Sequence, residues 1–439
     1  MPEPGNDDGW APVDPELDRP AAPPAPADPP QPGPAQPYAP PSSAHPYVPP
    51  QVAHPYVPPQ AQAPHPHPYP YPPGPYQGRY GIYGEPQEKR PWTVDTEPGV
   101  PYHRMARTAV HRWWRPLVGS LAIVAGGFAL SMALMVVVFV GVVIATGGIP
   151  ESGDGDTITG DETVDLAFNL GTLALFLPVT LLVARWVQRR RPGTLSSVTG
   201  RLRRRWLGVC SVLAIGYCAA AYVTSLIVAS LTDDTSGGDE HWVGWARFLM
   251  PMVTIVLLVP FQAAAEEYVF RGWLIQGIGA CTLENLKGRV GRVFGAVFGT
   301  PWPGIVISAA LFTSLHGYTG WGILDIFFFG AIAGWLTVRT GGLEAAIALH
   351  VFNNWIAFLL PAGVGDLEVE QGDVPWQVVV ADIVPMVLFA AGVLVLARRC
   401  GVRTVTPPAE DVSVPVSVPA EDTPEPERVE DARSDGKIS

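Results

Sequence analysis

The chain has 439 residues, a formal net charge of −12, and 15% charged against 48% hydrophobic residues. Its acidic balance, with the arginines gathered beside apolar stretches, gives no footing for nucleic-acid binding. Cys210, Cys218, Cys281 and Cys400 show no CxxC spacing and no secreted-scaffold density, so they read as apolar fillers or reduced thiols.

The chain divides into three compositional parts, and only about 300 residues read as foldable. Residues 1–103 form a Pro/Tyr/His-rich tail in which AHPYVPPQ occurs at 44–51 and again at 53–60. Such sequence buries too little apolar surface to fold, and its prolines favour extended conformations. The tail is expected to be disordered and cytoplasmic, with a Pro-rich-tail binding partner as the alternative reading. The first apolar run starts only at Leu117, so no N-terminal signal peptide is expected. Residues 401–439 are expected to form a second disordered tail, acidic in composition.

Eight apolar runs follow the first tail, near 117–146, 164–187, 206–231, 244–276, 304–318, 323–338, 342–360 and 376–397. A bilayer needs roughly 20 apolar residues per helix, so each is a candidate span. The fifth and sixth are short, and the amphipathic GRVFGAVFG stretch precedes the fifth. The predicted fold is all-α, a polytopic membrane helix bundle of about eight transmembrane helices. Helices 1–3 fall in 104–243 and the remaining core in 244–400. Loop charge alternates. Arg104, Arg107, Arg112 and Arg115 precede the first run, Arg189–Arg191 and Arg201–Arg205 follow the second, and Lys287, Arg289 and Arg292 follow the fourth. Acidic loops follow the first, third and seventh runs. The positive-inside rule then puts both termini in the cytoplasm of a multi-pass cell-membrane protein.

Three runs carry polar groups that a bilayer penalises by at least ~2.5 kcal/mol each for the charged ones, which marks a functional cavity. The fourth holds Glu266, Glu267 and Arg271, the fifth ends on Phe312 and His316, and the seventh contains His350, Asn353 and Asn354. Glu267 and Arg271 stand at i,i+4 with the acid first, the better order for an ion pair. Glu266 points ~100° away and has no obvious local partner. A carboxylate taken out of water is a stronger base. His350 and Asn354 share a helix face at i,i+4, with Asn353 beside them. Acid–base chemistry within the membrane is the expectation, in a cavity open to the cytoplasm.

EEYVFR, FTSLH and HVFNN resemble the EExxxR, FxxxH and HxxxN motifs of the CPBP family. That family includes type II CAAX prenyl endopeptidases and bacteriocin-processing or self-immunity proteins. The motifs occur in order, in separate runs, and the resemblance covers about 245–360. It implies an intramembrane endopeptidase acting on a membrane-associated protein or peptide, in which Glu266 and His316 activate water. His350 and Asn354 would stabilise the oxyanion, with Glu267, Arg271, Phe312 and Asn353 in support. The resemblance implies no metal cofactor. A zinc ion on Glu266, His316 and His350 is the alternative. Two non-proteolytic readings remain beside it, an immunity or scaffold protein and a proton-coupled transporter.

Overall fold

The computed structural model describes residues 91–148, 159–231, 241–281, 287–367 and 371–408. Among them every regular element is helical, in agreement with the all-α expectation. In chain order these are α1 (Trp114–Thr146), α2 (Glu162–Ala174), α3 (Phe176–Trp186), α4 (Arg204–Leu231) and α5 (Trp245–Glu267). A wide π-helical stretch, Tyr268–Leu274, joins α5 to α6 (Ile275–Gly279). Then come α7 (Gly288–Phe298), α8 (Trp302–Ser314), α9 (Gly322–Thr340), α10 (Glu344–Val364) and α11 (Trp376–Arg399). Taking α2–α3 and α5–α6 each as one run, seven runs are long and apolar enough to cross a membrane, and the α7–α8 pair makes an eighth if counted as one span. Their large outward side chains, such as Leu121 at 70% and Ile144 at 77% exposed on α1, need hydrocarbon around them.

The helix ends are chemically specified. Asp161 caps α2, its Oδ1 accepting from the Val164 N–H at 3.0 Å. Gly341 ends α9 in the left-handed region at φ +69°, where a Cβ would also meet the Arg403 carbonyl at 2.7 Å. Only glycine satisfies both demands.

The short fifth run has a structural cause. α8 has 13 residues and so spans about 20 Å, against ~30 Å of hydrocarbon. Its axis turns 68° from that of α7. Val290, Val293, Phe294 and Val297 form one exposed apolar stripe on α7, with Lys287, Arg289 and Arg292 alongside, the pattern of a helix lying at a membrane surface. His316 stands just past the end of this short helix.

Two polar clamps hold one end of the bundle. Arg203 grips Glu344 at the start of α10 with two side-chain bonds, Nε to Oε1 at 2.9 Å and Nη2 to Oε2 at 2.7 Å. The same guanidinium donates to the Thr340 and Arg403 carbonyls, both at 3.0 Å. The second clamp corrects the tail boundaries that composition suggested. Residues 97–106 and 404–406 are packed: Pro101 pairs with Val405, and the Thr406 N–H donates to the Val100 carbonyl at 3.0 Å. Tyr102 is fully buried and donates to the Leu195 carbonyl at 2.5 Å. Composition misses this because a few anchoring residues are diluted by the proline-rich sequence before them. The approach to α1 and the exit from α11 thus meet at one end of the bundle. The proline-rich repeats, and residues 409–439 of the acidic tail, lie outside the described residues.

Candidate active site

The two glutamates close α5, where the sequence FQAAAEE puts three small alanines between Gln262 and Glu266. The backbone then widens into the π-helical stretch that carries Arg271, a deviation often found at functional sites. Glu267 and Arg271 still pair as their spacing predicts, Nη1 to Oε1 at 2.9 Å, and both side chains are 0% exposed. The same Glu267 oxygen receives His350 Nδ1 at 2.8 Å. A carboxylate accepts, so the Nδ1 proton lies toward Glu267 and Nε2 is left facing Glu266. Glu267 therefore orients a histidine on α10 as well as binding Arg271, a link across 83 residues that helical spacing cannot show.

The remainder of Arg271 is covered by aromatic rings. Its guanidinium carbon lies 4.2 Å from the Phe312 ring centre, 5.9 Å from Phe270 and 6.0 Å from Phe329. A desolvated cation over a ring face gains about 2 kcal/mol. Phe312 also contacts both histidines, its ring centre lying 4.5 Å from that of His316 and 5.9 Å from that of His350. One phenylalanine thus covers the buried arginine and walls the histidines.

Glu266 has different surroundings. Its side chain is 13% exposed, and Oε2 stands 3.4 Å from His350 Nε2. Oε1 accepts from Gln262 Nε2 at 2.7 Å, and Gln262 Oε1 accepts from Asn354 Nδ2 at 3.1 Å. The expectation that Glu266 lacks a local partner is therefore corrected: Gln262 supplies one from the turn before, on the same helix face. That amide in an apolar run, four residues ahead of a glutamate, was a readable signal. His316 places Nδ1 2.8 Å from the Phe312 carbonyl, which only accepts. Its Nδ1 therefore carries the proton, and Nε2 is the free nitrogen.

Glu266, Phe312, His316, His350, Asn353 and Asn354 all line one cavity of about 650 Å³. Glu267 and Arg271 do not reach it and stand directly behind. Ser120, Asn169, Trp273 and Phe329 complete parts of the wall, and none was singled out as a site residue from sequence. Trp273 is fixed there by its Nε1–H bond to Ser120 Oγ at 2.9 Å. Among the described residues no three His, Cys, Asp or Glu side chains converge as a metal-binding group, which includes the set Glu266, His316 and His350. Both histidines spend Nδ1 on a protein acceptor.

Residues 247–356 match the family model described as type II CAAX prenyl endopeptidase Rce1-like. The chain is also similar to the uncharacterized protein YyaK of Bacillus subtilis (strain 168), 25% identical over 205 residues. That match covers 45% of this chain and 62% of YyaK, so it spans less than two thirds of the relative's length. No solved structure matches the chain significantly. The matched segment begins in α5 and ends in α10 and encloses all three motifs, so over this segment the chain is similar to the Rce1-like type II CAAX prenyl endopeptidases.

Proposed function

We propose that this protein is an intramembrane endopeptidase that hydrolyses a peptide bond of a membrane-associated protein or peptide. The observation that carries the reading is the opening of Glu266, His316, His350 and Asn354 into one cavity inside apolar helices. Glu266 takes a proton from water as the water attacks the scissile carbonyl carbon, and His316 Nε2 accepts the water's second hydrogen bond. The carbonyl oxygen becomes an oxyanion, bound by His350 Nε2 and the Asn354 amide. His350 donates Nδ1–H to Glu267, and its Nε2 must carry a proton at this step to bind the oxyanion. Glu266 then returns the proton to the departing amine. Removing one oxyanion donor typically costs 10²–10³ in turnover.

The residues named supply base, donor and orienting group without a metal. Metal analysis of purified active protein, with turnover measured after exhaustive chelation, tests that point. Unchanged turnover is expected, and stoichiometric zinc with activity lost on chelation and restored by Zn²⁺ would reverse it. Both termini are assigned to the cytoplasm on loop charge, supported by the meeting of residues 99–101 with 405–406 at one end of the bundle.

The test of the function is substrate trapping in cells with the Glu266→Gln variant, followed by incubation of each captured protein with the parent enzyme. Cleavage by the parent and retention by the variant is the expected outcome. Capture without cleavage would favour a scaffold or immunity protein instead.

A further inference from the structure

Two asparagines stand side by side on α10, and their amides are committed in opposite senses. Asn354 faces α5 and uses an N–H, donating Nδ2 to Gln262 Oε1 at 3.1 Å. Asn353, about 100° around the helix, faces α4 and uses its oxygen, accepting from the Tyr217 hydroxyl at 2.7 Å. Among the described residues Asn353 Nδ2 has no protein acceptor, and the residue lines the cavity beside His350. An amide whose oxygen is held leaves both N–H groups of one nitrogen for a ligand.

Tyr217 is built to hold that orientation. It is 4% exposed on α4, and its ring packs edge-on against Phe389 of α11 with centres 6.2 Å apart. A buried tyrosine with two χ angles, closed in by α11, loses little further entropy in fixing its hydroxyl. The next residue of α4, Cys218, is tied to α10 by its Sγ, 3.6 Å from the Phe352 carbonyl. The α4–α10 interface therefore sets the Asn353 amide.

We propose that Asn353 is a substrate-binding residue, donating an amide N–H to a main-chain carbonyl of the peptide next to the scissile bond, and that Tyr217 is its positioning residue. The group recognised is a peptide carbonyl, because the Asn353 amide offers a donor at this point. Asn353 acts on binding, whereas Glu266 acts on the chemical step. The inference rests on the endopeptidase reading but concerns a separate quantity, affinity.

The experiment uses the full chain in detergent and a fluorescein-labelled peptide ending in farnesyl-cysteine and three further residues. Binding is read by anisotropy on a Glu266→Gln background, so that turnover does not enter. Asn353→Asp keeps the acceptor for Tyr217 and removes the donors, and Asn353→Ala guards against misfolding of the first. Each is expected to weaken binding about tenfold, and Tyr217→Phe about threefold, with no further loss when Tyr217→Phe is added to Asn353→Ala. In proteins with Glu266 intact, KM should rise with kcat changed less than about threefold. Binding by both Asn353 variants within twofold of the Glu266→Gln parent, including an absence of binding by all of them, would overturn the proposal. So would a loss from Tyr217→Phe that persists in full on the Asn353→Ala background, since the tyrosine would then be merely structural. If the Glu266→Gln protein cleaved the peptide like the parent while Asn353→Asp still weakened binding, the catalytic reading would fall and the Asn353 assignment would stand.

Discussion

Glu266 and Glu267 are neighbours in sequence and occupy opposite kinds of environment. Glu267 is wholly buried, shares one oxygen between Arg271 and His350, and belongs to a dry polar framework. Glu266 is partly exposed, is held by Gln262, and opens into the cavity. The same division recurs elsewhere. Arg203 and Glu344 form a second buried clamp at the start of α10, while Asn353, Asn354 and His316 face the cavity. The proposed intramembrane activity needs both classes. Charges that fix helices must be paired and dry, and groups that meet substrate must keep an open side.

The division can be broken by removing members of the dry framework. Glu267→Ala leaves Arg271 buried and unpaired and frees His350, so a loss of 3–5 kcal/mol, about the cost of breaking a buried pair, is expected. Thermal unfolding in detergent would show a large drop in melting temperature; a melting temperature near the parent's would mean that Glu267 is no part of the framework. Arg203→Ala should cost somewhat less, about 3 kcal/mol, because Arg203 keeps 14% exposure while Glu344 has none. High salt should mimic that loss only weakly, and a strong salt effect would place the pair in water.

A smaller effect lies outside the membrane. His103 is 6% exposed, and burial with the neighbouring Arg104 guanidinium holds its imidazole down at about 4. The unfolded chain takes up this proton near pH 6.5 and the folded protein only near pH 4. Folding stability should therefore fall as pH drops through that window, by about 2–3 kcal/mol, and be unaffected above it. A His103→Gln variant should lose this part of the slope. A pH profile identical to that of the parent would show that His103 is not buried in neutral form.

The sequence carried most of the bundle. Each apolar run near the bilayer length became a helix or consecutive helices, and the shortest became the second half of the broken α7–α8 pair, whose first half is largely GRVFGAVFG. The Glu267–Arg271 pair was legible because both partners lie one turn apart on one helix. What stayed hidden depends on how helices far apart in sequence approach one another. His350 meets Glu267, Phe312 covers Arg271, and Tyr217 reaches Asn353 only once α4, α5, α8 and α10 are packed. Periodicity gives the face a residue occupies and says nothing of which helix that face meets. The anchoring of residues 97–106 was hidden for a related reason. Tyr102 finds its acceptor at Leu195, 93 residues away, in a segment whose composition resembles a linker.

The most direct measurement sets Glu266→Gln against the parent protein in one preparation, reading turnover of the farnesylated peptide and melting temperature together. The cavity-facing placement of Glu266 predicts that turnover is abolished while the melting temperature stays within about 2 °C. Turnover equal to the parent's would contradict the account. So would a melting-temperature loss as large as that of Glu267→Ala, since Glu266 would then belong to the framework and not to the chemistry.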